Sequence, residues 1–88
     1  MIKITLNEQE QTGNYNFRIP NQVMTRGFAN TFKDIALDLC LLSVEMIMRK
    51  GTPDYFQTFI YHAPSGTDIP YWVIHDETVV TYLLPEEY

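Results

Sequence analysis

The chain has 88 residues, 45% of them hydrophobic and twelve of them aromatic, and its eleven acidic side chains against six basic ones give a formal charge of −5. This length makes a single domain over residues 1–88, able to bury roughly 60–65% of its unfolded surface, and the composition excludes a disordered chain. The charge excludes direct binding of a nucleic-acid backbone, because Lys3, Arg18, Arg26, Lys33, Arg49 and Lys50 are scattered and form no basic run.

Ile2-Lys3-Ile4-Thr5-Leu6 alternates with period two and predicts a strand. After the polar residues 7–14, Tyr15-Asn16-Phe17-Arg18-Ile19 alternates again, so a hairpin with a long tip around Gly13 is expected, ended by Pro20. Residues 23–26 read as a short edge segment.

Residues 30–50 predict a long helix. At 100° per residue, Asp34, Asp38, Glu45 and Arg49 fall within about 60° of one another, and nearly all the remaining circumference is apolar. One packing partner needs an apolar arc only a little wider than 100°, so this helix is expected to be covered from two sides or to lend part of its face to another chain. Asn30 is the expected N-cap, while Arg49, Lys50, Gly51 and Pro53 supply a C-terminal stop.

Residues 55–62 are rich in aromatic and β-branched side chains and predict a strand; residues 63–70 read as a loop. Tyr71-Trp72-Val73-Ile74-His75 is a strand, and residues 78–84 are another after a bend at Asp76-Glu77. The order β-β-α-β-β-β defines an α+β fold, an antiparallel sheet with one long helix packed on one face. The other sheet face is expected to carry several of Tyr15, Phe17, Tyr55, Phe59, Tyr61, Tyr71 and Tyr82, as a partner surface or a route to self-association.

Candidate chemistry is sparse. With residues 63–70 as a hairpin connection, His62 faces Tyr71 and His75 faces Thr58, about 13 Å apart along the strands and too far to share a metal. Ser43 falls within the helix and Ser65 in a loop, neither in a nucleophile elbow. The single cysteine, Cys40, reads as a core thiol in a reducing compartment such as the cytoplasm. No basic-then-apolar leader opens the chain, and the helical apolar run is too short to span a bilayer. No catalytic residue, metal or cofactor is predicted.

The segments Thr25-Arg26-Gly27, a long apolar helix, and Asp54-Tyr55-Phe56-Gln57-Thr58-Phe59 resemble a family of small bacterial and phage proteins called domain of unknown function 960. Ile74-His75 and Pro85-Glu86-Glu87-Tyr88 echo its C-terminal pattern. The resemblance covers residues 23–88 and departs in the insertion before Pro85 and in the N-terminal hairpin. It implies a small accessory protein of a kind also found on mobile elements. Small acidic proteins of that provenance often occlude a host protein, defence nucleases such as those of CRISPR systems included.

The expected function is therefore a non-enzymatic protein-binding module, an inhibitor or adaptor of a basic or nucleic-acid-handling protein. Asp34, Asp38, Leu41, Glu45 and Met48 on the helix form one candidate surface, since an apolar centre with a charged rim is common interface anatomy. Tyr82, Glu86 and Glu87 form another. The alternatives are a homodimer built through the surplus apolar face and a small-molecule or enzymatic site at an aromatic pocket on the sheet.

Overall fold

The computed structural model describes residues 2–88. In chain order it contains β1 (Ile4–Leu6), β2 (Asn21–Met24), α1 (Arg26–Phe32), a 3-10 turn (Lys33–Ile35), α2 (Ala36–Arg49), β3 (Phe56–His62), β4 (Asp68–Asp76), β5 (Val79–Leu83) and a closing 3-10 turn (Pro85–Glu87). The class is α+β, as expected. Its five strands form one sheet in the order β1-β3-β4-β5-β2, antiparallel throughout except for β2, which runs parallel to β5.

The predicted N-terminal hairpin is not formed. β1 and the strand that follows it lie on opposite edges of the sheet, and that following strand is Asn21–Met24 rather than residues 15–19. The alternation over residues 15–19 has a different cause. Only Phe17 enters the core, where its ring meets His75 at 5.3 Å and its backbone N–H donates to Met48 Sδ at 3.4 Å. Tyr15 leans on the other side of His75, and Ile19 projects into solvent.

β3 and β4 are joined by a loop shorter than predicted, because Asp68, Ile69 and Pro70 are already strand. Ala63 bonds Thr67 and His75 bonds Tyr55 across this ladder, so the bonded positions are odd-numbered and the Pro70 nitrogen turns away from β3. β5 ends opposite Trp72, two residues short of Pro70, so the missing N–H interrupts no ladder. The register corrects the expected histidine placement. His62 faces Asp68, and His75 is seven residues further along β4, roughly 23 Å at strand rise.

The helix also differs from its predicted span. It starts at Arg26, four residues before the expected cap at Asn30, with Thr25 Oγ1 accepting the Phe28 N–H at 3.2 Å. It breaks at Lys33, whose φ is 45°, and resumes as α2. The break lets Phe28 and Phe32 from α1 and Ala36, Leu39, Cys40 and Ile47 from α2 cover the same sheet face. Gly51 ends α2 at a φ of 85°, as the sequence predicts.

The covered sheet face presents Phe59, Tyr71, Val73, Val80 and Tyr82 to the helices. Phe17, Phe59, Tyr61, Tyr71 and Tyr82 therefore belong to the core side, contrary to the expectation that they would supply an open face. The uncovered face carries Phe56, Ile60, Trp72, Ile74 and Thr81 instead, with the Tyr88 ring 5.5 Å from Trp72.

Tyr71 ties the two layers together. Its ring stacks on Phe59 with centroids 5.0 Å apart, and the edges of Phe28 and Phe32 meet it at 5.5 and 5.6 Å. Its hydroxyl donates to Ser43 Oγ at 2.6 Å, and Ser43 in turn donates to the Leu39 carbonyl at 2.6 Å. Ser43→Ala strands the buried phenol and is expected to cost about 1–3 kcal/mol. The Ser43→Ala/Tyr71→Phe pair should cost less than the sum of the single changes in urea unfolding. Strict additivity would show that the two hydroxyls are not coupled.

Candidate functional site

The outer face of α2 gathers the residues that remain without a structural task. Leu37 and Leu41, one turn apart, are each 69% exposed, and Leu42 is 37% exposed. Asp38 lies between them, Asp34 precedes them, and Glu45 follows, all exposed. Leu41, Leu42, Asp38 and Glu45 also border a shallow hollow whose far side is Ile2, just before β1. α2 is thus apolar on both sides: one side is core, and the other is a leucine ridge edged with carboxylates.

The candidate residues divide between two fates. Asp38, Leu41 and Glu45 come together on this ridge, and Asp34 stands exposed in the 3-10 turn just before it. Glu45 does not pair with Arg49 within the helix; it accepts from Arg18 at 2.9 Å, and both side chains remain half-exposed. Met48 points toward the core, half-buried beneath Phe17, and contributes little to the ridge.

Tyr82, expected at a surface, is 1% exposed and packs against Phe28, with its hydroxyl donating to Gln22 Oε1 at 2.6 Å. An inward position on β5 leaves it no surface to offer, so it is withdrawn as a partner-binding residue. Glu86 is exposed on the closing turn, away from α2.

Glu87 has a structural task. Its carboxylate accepts from Thr25 Oγ1 at 2.5 Å, from the Gly27 N–H at 3.0 Å and from the Leu84 N–H at 2.9 Å. It thereby fastens the end of the chain to the first turn of α1. A Cβ on Gly27 would collide with this carboxylate, so the glycine leaves the space that Glu87 fills. The hydrogen bond from Thr25, followed by that from the Leu84 N–H, holds the Glu87 carboxyl below its ordinary value of 4.5. Glu87, expected as a partner-binding residue, is thus engaged within the chain while remaining exposed.

Other reactive side chains are enclosed. Cys40 is buried on α2, and burial pushes its thiol up to about 12, so it stays protonated at neutral pH. Burial likewise raises Tyr71 and Tyr82, and the Ser43 hydrogen bond offsets this only partly for Tyr71. His62 pairs with Asp68 at 3.0 Å and with the Thr5 hydroxyl at 2.7 Å. His75, between Tyr15 and Phe17, lies 3.2 Å from the Asn16 carbonyl through Nε2. Among the described residues no three His, Cys, Asp or Glu side chains converge as metal ligands, and no helix is long and apolar enough to cross a membrane.

Helical periodicity sets Leu37 beside Leu41 at the margin of the acidic stripe, where it is found, but sets Leu42 among core residues, so the exposure of Leu42 runs against the pattern. Sequence reasoning missed a pocket where residues 8–11 meet Asp54 and Tyr55, having read that stretch as the tip of a hairpin. An isolated acid between Pro53 and an aromatic strand was the available signal.

Comparison with protein-family models, curated proteins and solved structures finds no match to this chain.

The Glu87 clasp carries a pH signature. A carboxyl lowered by folding stabilises the native state fully above its unfolded value and loses that contribution as pH falls through the lower folded value. Wild type should therefore be more stable than Glu87→Gln above about pH 5, and the gap should close as pH is lowered through the acid range. Urea midpoints at neutral and acid pH measure it, and a gap that is constant across pH would contradict the clasp.

Proposed function

We propose that this protein is a non-enzymatic binding module that docks on a basic protein through the outer ridge of α2. The observation that carries the reading is the pair of leucines, Leu37 and Leu41, both 69% exposed and one turn apart, with Asp34, Asp38 and Glu45 at their edge. Two large aliphatic side chains held in water at adjacent turns lose apolar burial worth about 1.5–3 kcal/mol each when fully covered. Occupation by a partner recovers that burial. The carboxylate rim selects a partner with an apolar patch framed by Lys or Arg and steers its approach. A stoichiometric inhibitor or adaptor of a nucleic-acid-handling or host-defence protein fits this chemistry, because such proteins expose basic surfaces.

Replacing Asp34, Asp38 and Glu45 with lysine should slow association about tenfold or more at low salt and weaken the salt dependence seen for the wild type, removing the rate gain it shows at low ionic strength. Leu37→Ser/Leu41→Ser should instead speed dissociation. Both are read by surface plasmon resonance against the partner recovered by pull-down from the source cell. Unchanged kinetics in both variants would exclude the ridge.

A second reading is favoured by the sheet face away from α1 and α2, where Phe56, Trp72 and Ile74 are half-buried and only Tyr88 and the closing turn lie against them. Two such faces related by a twofold axis can stack as paired sheets about 10 Å apart, giving a homodimer. Light scattering over a dilution series distinguishes the readings: a dimer persisting to low micromolar concentration supports the sheet-face contact, and a monomer at high micromolar concentration removes it.

A further inference from the structure

A concavity lies away from the α2 ridge, where the chain leaving β1 folds over the start of β3. It encloses about 360 Å³ and is lined by Glu8, Gln9, Glu10, Asp54, Tyr55 and Phe56, among others. That volume is at the lower end of small-ligand sites and suits one side chain or a ligand of similar size.

Gln9 builds this pocket. Its Oε1 accepts from the Asp54 N–H at 3.0 Å and from Gln57 Nε2 at 2.8 Å, while its Nε2 donates to the Thr52 carbonyl at 2.6 Å. Further along, Gly13 and Tyr15 bond the Thr52 and Pro53 carbonyls. The acidic segment is thus fixed against the sheet end.

Asp54 is the informative residue. It is only 9% exposed, its Oδ1 accepts the Tyr55 N–H at 2.8 Å, and its other oxygen accepts no hydrogen bond among the described residues. No ion pair among the described residues reaches Asp54, Glu8 or Glu10; Lys50 borders a neighbouring hollow with Glu8 and Gln9. Asp54 thus presents a free, accessible carboxylate oxygen, in a residue otherwise nearly buried, to a pocket that already contains two more acids.

We infer that this pocket binds an organic cation, and specifically an arginine side chain. The carboxylates do not converge closely enough to form a metal cluster, whereas a guanidinium spans several acceptors and can form paired hydrogen bonds with a carboxylate. Tyr55 and Phe56 add aromatic surface, on which a guanidinium packs by cation–π attraction and stacking. Ammonium, a compact and more strongly hydrated charge, matches this wall less well. The site lies apart from the α2 ridge, and its test needs no protein partner.

The test is a titration of Nα-acetyl-arginine amide into ¹⁵N-labelled protein, followed by backbone and side-chain amide shifts. Saturable shifts are expected at Tyr55 and the Gln9 side-chain amide, with affinity reduced about tenfold in Asp54→Asn. The neutral isostere Nα-acetyl-citrulline amide should produce no saturable shift. Equal binding of the citrulline compound, unchanged affinity in a folded Asp54→Asn protein, or shifts confined to Asp38 and Glu45 would each overturn the assignment. So would saturation of the same resonances by calcium in place of the arginine compound. If Asp54→Asn fails to fold, Glu8→Gln/Glu10→Gln carries the same test on exposed positions, with severalfold weaker binding expected and unchanged binding fatal to the proposal.

Discussion

Tyr71 stands on the central strand of the sheet, and its hydroxyl must find a partner in a fully buried place. Ser43 provides that partner, one turn beyond Leu39, whose carbonyl accepts the Ser43 hydroxyl hydrogen bond. This chain of two hydrogen bonds fixes the rotation of α2 over the sheet. A rotation of one residue, 100°, would carry Ser43 away from the phenol and bring a leucine or valine against it. The orientation determines the rest of the helix. With Ser43 pointing inward, Leu39, Cys40 and Ile47 enter the core, and Leu37, Leu41 and Glu45 must face out. The exposed ridge is thus a consequence of a buried polar contact.

The break at Lys33 follows from the same sheet. Tyr71 is met edge-on by both Phe28 and Phe32, residues one helical turn apart on α1. A continuous helix holding both rings over β4 would direct the following residues along one axis. The left-handed Lys33 redirects the chain so that Ala36 through Ile47 also lie on the sheet. A non-glycine residue at φ 45° costs on the order of 1 kcal/mol or more, and the apolar burial on either side offsets it. The end of the chain then closes the start of α1 through Glu87, linking two segments 60 residues apart.

Patterns generated by local periodicity were legible in the sequence, whereas those generated by distant contacts were not. The α2 face, the stop at Gly51 and the bend at Asp76-Glu77 rest on neighbouring residues and were readable. Lys33 has neither glycine nor proline beside it, and its break answers to Tyr71, far along the chain. Residues 15–19 mimic a strand because alternate side chains happen to be large, yet the outer edge of β1 stays unpaired and this segment instead inserts Phe17 beside His75. Pro70 looked like a loop residue because a proline in an inner strand is costly; only the early end of β5 makes it tolerable. Of the candidate site, the acidic edge and Leu41 were visible in the helical wheel. Tyr82 was misread because its burial leaves no mark in local sequence, and the Glu87 clasp went unseen because its donors are distant in the chain.

Sorting the carboxylates by what they touch sharpens the meaning of the negative charge. Glu87 is held by three donors, Glu45 by Arg18, and Asp68 by His62. Exposed acids such as Glu77 and Glu86 keep their hydration and need no partner. Asp54 differs from all of these, because most of the residue is buried while its free oxygen opens on a pocket and no cation among the described residues meets it. Asp34 and Asp38 differ for another reason, their position beside leucines that the fold leaves uncovered. Under the two proposals, both arrangements take positive charge, in one case a single side chain entering a pocket and in the other a basic rim around an apolar patch. A partner that meets both would have to reach from the helix layer to the end of the sheet. One carrying an arginine on an extended segment beside its apolar patch would have the required geometry.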